Sequence, residues 1–181
     1  MKTSVQTLYD QYVEVFPQER EALEIIRTQL ETITPNAREI TDRRNFQQGH
    51  VTAGAIVLQR RLQPGGHIEA EDESVLAAAY RECEEEAGIS EETLRYIPLT
   101  EQNEELPFAI SVQDIPANTA KDEPRHYHYD FWYLFTVPDG TPVRTEEIAV
   151  SNPQWTPFTV FAESADFSRH AEKINKLLAT S

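Results

Sequence analysis

The chain of 181 residues has the length of one domain with an extension, and its hydrophobic fraction of 39% is enough for a packed core, which excludes extensive disorder. Its 31 acidic and 16 basic residues give a formal charge of −15, a field that repels nucleic-acid backbones. The single cysteine excludes an internal disulfide framework and a cysteine-built zinc site. With neither a long apolar run nor a secretion signal, the sequence predicts a cytoplasmic protein that binds neither nucleic acid nor membranes.

The acidity has two interpretations. It can serve solubility alone. If the substrate is an anion such as a phosphate ester, bound divalent cations must reverse the local field.

Two helices are predicted near the start of the chain. Apolar residues from Val5 onward recur at helical spacing, and Pro17 begins a second helix that Pro35 ends. Helices this short are marginal alone. We therefore expect residues 1–46 to form a helical extension that packs on a main domain of residues 47–181, although the pair can instead serve as the arm of a homodimer.

Strands and helices alternate in the rest of the chain. In chain order they are a strand over residues 51–58, a turn over 63–67, a helix over about 74–87 that Gly88 ends, an aromatic-rich strand over 125–135, a short strand within 147–155, and a C-terminal helix with Phe167, Ala171, Ile174 and Leu178 on one face. This interleaving predicts the α/β (α+β) class with a mixed sheet.

The end of the predicted central helix carries three acidic residues at positions i, i+3 and i+4. Glu82, Glu85 and Glu86 therefore share an arc of about 100°. Like charges at this spacing cost about 0.2–0.5 kcal/mol per pair, and carboxylates in a last turn oppose the helix dipole. A solvated acidic face is one interpretation; a hard cation such as Mg²⁺, which would offset the repulsion, is the other. Arg81 is predicted to orient Glu85 through a bidentate contact.

Three of the six glycines flank this helix, namely Gly65, Gly66 and Gly88. Paired glycines let a backbone carbonyl approach a metal ion, or a backbone amide approach a phosphate. Cys83 lies on the apolar stripe of the helix, so we expect it to pack in the core without reactivity.

The segment Gly65–Ile89 resembles the signature box of the Nudix hydrolases, Gly-x5-Glu-x7-Arg-Glu-U-x-Glu-Glu-x-Gly-U, where U is aliphatic or similar. The run Arg81–Ile89 matches the second half throughout, and Glu73 precedes it by the required seven residues. In the first half, Gly66 lies one residue early relative to Glu73 but has the family's gap to Asp72. Which of the two acids is the outer carboxylate therefore stays open.

The similarity extends to a bacterial Nudix subgroup with further motifs, here Gly49–Ala53, Gln63–Glu69 and Glu123–Asp130. Twelve residues separate Thr52 from Gly65, where family members usually fit a longer two-strand connection. We therefore expect one sheet strand to be shortened or missing there.

The resemblance implies an α/β/α sandwich and an Mg²⁺- or Mn²⁺-dependent hydrolase that cleaves the diphosphate bond of a nucleoside diphosphate derivative, such as a nucleotide sugar or a dinucleotide. It implies metal ligation by the Gly66 carbonyl and by Glu82, Glu85 and Glu86, with Arg81 as the residue that positions Glu85. The candidates for the catalytic base are Glu85 and Glu86, or among the loop carboxylates Glu123, Glu146 and Glu147.

Further candidates lie on the long strand and before the glycine loop. His126, His128 and Asp130 share one strand face, where they can contact substrate, ligate a metal or act as a base, or simply be hydrogen-bonded. Arg60 and Arg61 can meet a phosphate or be ordinary surface charges.

Two other functions compete with the hydrolase. A non-catalytic module that binds a nucleotide or sugar nucleotide on the same fold would be expected to lose the box carboxylates, and here they are kept. An isomerase of an isoprenoid diphosphate would require an accessible thiol, whereas Cys83 is expected to be buried.

Overall fold

The computed structural model of the chain describes residues 4–32, 39–58, 63–100, 103, 105–142 and 168–180. The strand predicted within 147–155 lies outside these ranges, as do Arg60, Arg61, Glu146 and Glu147.

Helices and strands alternate along the described chain. The elements are α1 (Val5–Val15), a 3₁₀ helix (Pro17–Glu19), α2 (Glu24–Glu31), β1 (His50–Val57), β2 (Gly65–His67), α3 (Val75–Ala87), β3 (Arg95–Tyr96), β4 (Ala109–Ile115), β5 (His126–Thr136) and α4 (Ser168–Thr180).

The N-terminal segment differs from its prediction in one respect. Helix α1 begins as expected, with Ser4 accepting a hydrogen bond from the backbone amide of Thr7. The prediction of a second helix that starts at Pro17 is wrong, because the amide of Arg20 bonds the carbonyl of Pro17 in an i→i+3 contact that tightens this turn. The regular helix α2 starts only at Glu24.

The five strands form one mixed sheet. Strand β1 runs parallel to β5 and antiparallel to β2, and both β3 and β4 pair antiparallel with the other edge of β5. The turn predicted over residues 63–67 is corrected, since Gly65–His67 pairs with Thr52–Gly54 as a three-residue strand. The sequence analysis contained neither β3 nor β4, because a two-residue strand has no periodicity and β4 is defined by its pairing with β5.

Alternate residues of the central strands bury two different faces of the sheet. On β5, Tyr129, Phe131, Tyr133 and Phe135 belong to a hydrophobic core shared with α1, α2 and α3, whereas Leu134 packs with Ile174 of α4 in a second core. Helices therefore cover both faces, and the prediction of an α/β class with a mixed sheet is confirmed. No helix of the described part is long and apolar enough to span a membrane.

Helix α3 has the ends that the sequence predicts. Ser74 caps it by accepting a hydrogen bond from the amide of Ala77, and Gly88 ends it at φ 63° and ψ 26°. Cys83 is fully buried, and burial raises the pKa of its thiol to about 12, so the expected packing role is confirmed. Helix α3 packs on β1, β2 and β5 and thereby places its last turns beside the β2 loop.

An ion pair links the N-terminal segment to α4. Lys173 Nζ lies 2.6 Å from Glu19 Oε1 and 2.6 Å from Tyr12 Oη, and it stands 3.6 Å from the centre of the Phe16 ring. The Tyr12 hydroxyl in turn donates to Glu19 Oε2 at 2.5 Å. These contacts fix the start of the chain to its last helix.

The Lys173 contacts should contribute measurably to stability. Lys173→Met keeps the aliphatic stem but leaves Glu19 and Tyr12 without their charged partner, so we expect urea denaturation to show a free energy of unfolding lower by about 1–3 kcal/mol. Lys121→Met, at an exposed lysine, is the matched control and should change it by less than about 0.5 kcal/mol. Equal losses in the two variants would show that the Lys173 contacts do not hold the segments together.

Candidate functional site

The guanidinium of Arg81 joins helix α3 to the loop that follows β2. Its Nε and Nη2 donate to the two carboxylate oxygens of Asp72 at 3.1 and 3.0 Å, and Nη2 also donates to the carbonyl of His67 at 2.8 Å. The Asp72 hydrogen bonds raise the pKa of Arg81 above its usual range, so the guanidinium stays charged. The loop is thereby held in one position against the helix.

The third guanidinium nitrogen reaches the acidic residues of the helix. Arg81 Nη1 donates to Glu82 Oε1 at 2.8 Å and to Glu85 Oε2 at 3.1 Å. The bidentate partner of Arg81 is thus Asp72, not Glu85 as the sequence analysis expected. The loop places Asp72 along the guanidinium edge formed by Nε and Nη2. The side chain of Asp72 is only 6% exposed there, whereas that of Glu85 is 56% exposed.

Both loop glycines contact acidic residues of α3. A Cβ at Gly66 would lie 2.2 Å from Glu82 Oε1 and 2.6 Å from its Cδ, so a side chain at this position would displace the Glu82 carboxylate. The amide of Gly65 donates to Glu86 Oε2 at 3.2 Å. The approach of the Glu82 carboxylate accounts for glycine at position 66, whereas a Cβ at Gly65 would lie 3.0 Å from the carbonyl oxygen of Ala53.

The burial of Glu82 and the negative charges beside it are compatible with a bound hard cation such as Mg²⁺. Burial raises the pKa of this carboxyl, the hydrogen bond and charge of Arg81 oppose the rise, and Glu86 and Glu85 add to it. The available donors are carboxylate oxygens beside a backbone with no side chain in the way, which is the ligand type that Mg²⁺ prefers. In the conformation described, the carboxylates face different donors, with Glu82 and Glu85 turned to Arg81 and Glu86 turned to Gly65.

The two candidates for the outer carboxylate occupy different places. Asp72 accepts the hydrogen bonds of Arg81 and also that of the Glu69 amide at 2.7 Å, whereas the side chain of Glu73 is exposed. The structure therefore brings Asp72 against Arg81.

A second cluster consists of four of the five histidines in the chain, His50, His67, His126 and His128. We call it the histidine cluster. The ring centre of His50 lies 5.1 Å from that of His67, 5.2 Å from that of His126 and 4.6 Å from that of His128. The Nε2 atoms of His126 and His128 are 3.1 Å apart. Burial and the neighbouring rings lower the pKa of His50 to about 3 and that of His128 to about 4, so these imidazoles are neutral near pH 7.

The histidine cluster lines a cavity of about 560 Å³. Arg43, Phe46, Lys121 and Glu123 line it as well, so both predicted substrate contacts on β5 and one of the predicted loop carboxylates face the same space. A smaller cavity of about 450 Å³ lies beside Asp72, and Arg43 also lines that one.

Asp130, the third polar residue on this face of β5, links neighbouring strands through side-chain hydrogen bonds. Its carboxylate accepts hydrogen bonds from Thr52 Oγ1 at 2.5 Å and from Ser111 Oγ at 3.2 Å, which ties β5 to its two neighbours. It is buried, and burial raises the pKa of its carboxyl.

We call Glu82, Glu85 and Glu86 of α3 the acidic cluster. It lies on the face of strand β2 opposite to the histidine cluster. Gly66 pairs with Ala53 and faces Glu82 of α3, whereas the next residue, His67, pairs with Thr52 and lies among the histidines. Successive residues of a strand point to opposite faces. The two clusters are thus neighbours along the chain and lie on opposite faces of β2, which is an edge strand of the sheet.

The sequence analysis did not identify His50 or His67 as site residues. Each is a single histidine in an apolar or glycine-rich segment, and only the parallel pairing of His50 with His128 and the pairing of His67 with Thr52 bring the four rings together. The available signal was that three of the five histidines fall within predicted strand or turn segments and that His50 immediately precedes a predicted strand.

Comparisons with known proteins identify the family and support the fold. The family model described as the NUDIX domain matches residues 43–177. No curated protein matches the chain significantly.

Among solved structures, an Ap4A hydrolase from C. elegans in a binary complex is 18% identical and has a TM-score of 0.50, over 72% of this chain and 98% of that one. A NUDIX-family hydrolase from Clostridium perfringens is 20% identical, with a TM-score of 0.48, over 70% of this chain and 95% of that one. The NUDIX domain of Shewanella oneidensis NrtR, solved with ADP ribose, is 14% identical, with a TM-score of 0.48, over 84% and 97%. The Ap4A hydrolase supports the fold, which matches the predicted α/β/α sandwich.

Asp72 and Glu73 should differ in how much each side chain contributes to folding stability. Asp72→Asn removes the charge that Arg81 meets in a bidentate contact, so we expect the free energy of unfolding in urea to fall by about 1–3 kcal/mol. Glu73→Gln, the isosteric change at the exposed neighbour, should cost less than about 0.5 kcal/mol. A larger loss in the Glu73 variant would contradict the stabilising role assigned to the Arg81–Asp72 contact.

Proposed function

Because the chain belongs to the Nudix family of hydrolases, we propose that it cleaves the diphosphate bond of a nucleoside diphosphate derivative, such as a nucleotide sugar or a dinucleotide, with Mg²⁺ or Mn²⁺ as cofactor. The observation that carries this proposal is the contact between Gly66 and the buried carboxylate of Glu82, a space that any side chain would fill. A buried carboxylate beside Glu85 and Glu86 is costly in a helix end built only for stability, because the three charges have the same sign.

The residues that would hold the cation are Glu82, Glu85, Glu86 and the carbonyl of Gly66. Such a cation would neutralise charge on the diphosphate and would lower the pKa of a bound water molecule, so that a carboxylate could deprotonate it more easily.

Arg81 has a positioning role in this scheme. Its donors are directed to Asp72, to the His67 carbonyl and to the helix carboxylates, so its hydrogen-bonding capacity is used within the protein. A planar guanidinium can hold these acceptors at fixed relative positions, whereas the single ammonium of a lysine cannot.

Two carboxylates of α3 are the nearest candidates for the base. Glu85 is 56% exposed and can accept a proton from a water molecule, and Glu86 stands beside it on the loop side. Glu123 lines the cavity on the other face of β2, which supports a contact with substrate rather than the role of catalytic base.

The larger cavity has the size and lining expected for a nucleotide derivative. Its volume of about 560 Å³ falls in the usual range for small-molecule sites. Arg43 and Lys121 supply positive charge for phosphate groups, and Phe46 supplies an aromatic ring. In a chain with a formal charge of −15, two basic side chains on one cavity favour an anionic ligand.

The reaction class can be tested with a panel of nucleotide sugars, dinucleotides, ADP-ribose and nucleoside triphosphates with Mg²⁺ or Mn²⁺, with products resolved by chromatography. We expect metal-dependent cleavage between two phosphorus atoms for at least one nucleoside diphosphate derivative. Tight binding without turnover across the panel would instead favour the nucleotide-binding module.

The roles of the helix carboxylates can be tested by one double variant. Glu85→Gln combined with Glu86→Gln removes two proposed ligands and both near base candidates, so kcat on the best substrate should fall by at least about 10²-fold. Glu84→Gln is the matched control, since Glu84 is an exposed glutamate of the same helix outside the proposed ligand set. Equal kcat values in the double variant and in the control would contradict the assignment.

The Gly66 contact can be tested separately. Gly66→Ala forces the Glu82 carboxylate away, and misplacement by about 1 Å is expected to lower kcat by about 10²-fold while circular dichroism remains native. Gly140→Ala, at a positive φ of 80° in open space, is the control for backbone strain, and we expect it to reduce stability without reducing kcat. Normal kcat in Gly66→Ala would show that the close contact does not position Glu82.

A further inference from the structure

His50 is the least satisfied polar side chain of the histidine cluster. It is 1% exposed, and neither of its ring nitrogens makes a hydrogen bond of good geometry. The nearby backbone of Asn45 favours the protonated ring slightly and can serve at most one of the two nitrogens. A buried polar atom without a partner costs about 1–3 kcal/mol, so its persistence calls for an explanation.

The ligating atoms of three histidines are close enough to share one ion. Nitrogens of His50, His126 and His128 all lie within 4.8 Å of one another, and they are the one group of three or more potential ligands with this property in the described part of the chain. Tetrahedral Zn²⁺ with bonds of about 2.0–2.1 Å sets neighbouring nitrogens about 3.3 Å apart. The Nε2 atoms of His126 and His128, at 3.1 Å, are already near that separation.

The backbone fixes which nitrogen of His126 is available. Its Nδ1 lies 2.7 Å from the carbonyl of Pro124, which can only accept a hydrogen bond. Nδ1 therefore carries the proton, and Nε2 presents its lone pair toward His128. Histidines that bind metals usually donate their other ring N–H to a carbonyl or carboxylate in this way.

From this geometry we infer that His50, His126 and His128 bind a divalent transition-metal ion such as Zn²⁺ at a site separate from the proposed Mg²⁺ site. Imidazole nitrogens suit Zn²⁺, Co²⁺, Ni²⁺ and Cu²⁺, whereas Mg²⁺ requires oxygen ligands. The site lies on the face of β2 opposite to Glu82, so the two centres differ in position as well as in ligand type.

A three-histidine site leaves the ion a coordination position for another ligand. The histidine cluster lines the 560 Å³ cavity together with Arg43 and Lys121, so this position is accessible to an anion in the cavity. His67 is placed beside the three ligands, with its ring centre 5.1 Å from that of His50 and 5.5 Å from that of His128.

The inference can be tested on the full chain after treatment with a chelator, by titration with Co²⁺ followed by visible absorption and with Zn²⁺ followed by calorimetry. We expect one ion per chain at this site and the intense absorption of a tetrahedral Co²⁺ centre. His128→Gln changes a half-buried ligand and should weaken binding at least about tenfold. His170→Gln, at the fifth histidine outside the cluster, is the matched control and should bind as the wild type does.

A second pair of measurements separates this site from the acidic one. The Glu85→Gln, Glu86→Gln double variant should keep its Co²⁺ spectrum, and X-ray absorption of the Zn²⁺-loaded wild type should show imidazole nitrogens as the main ligands. Absence of saturable binding, equal affinity in the His128 and His170 variants, or loss of the Co²⁺ spectrum in the glutamate variant would overturn the inference. The X-ray absorption result keeps it testable even if a histidine variant fails to fold.

Discussion

The guanidinium of Arg81 is the interaction on which the acidic site depends. It makes a bidentate contact with Asp72, a contact with the His67 carbonyl and contacts with two helix carboxylates, so loop and helix share one positively charged centre. Without this charge, Glu82 would be a buried carboxylate beside two others of the same sign, an arrangement that burial alone already disfavours. The same guanidinium therefore stabilises the loop and positions the acidic groups of the helix.

A strand of three residues separates two kinds of chemistry. Gly66 meets carboxylate oxygens on the α3 side of β2, and the His67 ring lies beside other imidazole rings on the other side. Oxygen donors select hard cations and nitrogen donors select borderline ones, so the two faces are suited to different ions. The alternation of a β-strand would be sufficient to place the two proposed centres next to each other without mixing their ligands.

The sequence predicted those features whose signal is local. The limits of α3, its cap at Ser74 and its glycine end follow from neighbouring residues, and the pattern of Arg81 and the acidic residues identified the family that the domain model confirms. The buried role of Cys83 followed from its place on the apolar stripe.

Features that depend on distant pairing could not be predicted in the same way. Asp72 and Glu73 are equivalent in sequence spacing, and only the fold of the loop decides which of them meets Arg81. His50 and His128 are 78 residues apart and become neighbours through the parallel register of β1 and β5, for which no local pattern exists. Strand β4 likewise owes its structure to β5, and the start of α2 at Glu24 to the 3₁₀ turn at Pro17.

The most direct measurement of the central claim is the position of Mn²⁺ in a crystal of the full chain, located by anomalous scattering at a saturating concentration of the ion. The Arg81 arrangement leads us to expect a peak bounded by the carboxylates of Glu82, Glu85 and Glu86 and by the backbone of Gly66, with the Arg81–Asp72 contact intact. A crystal that keeps that contact but shows no Mn²⁺ beside Glu82 would contradict the claim that this arrangement is a cation site.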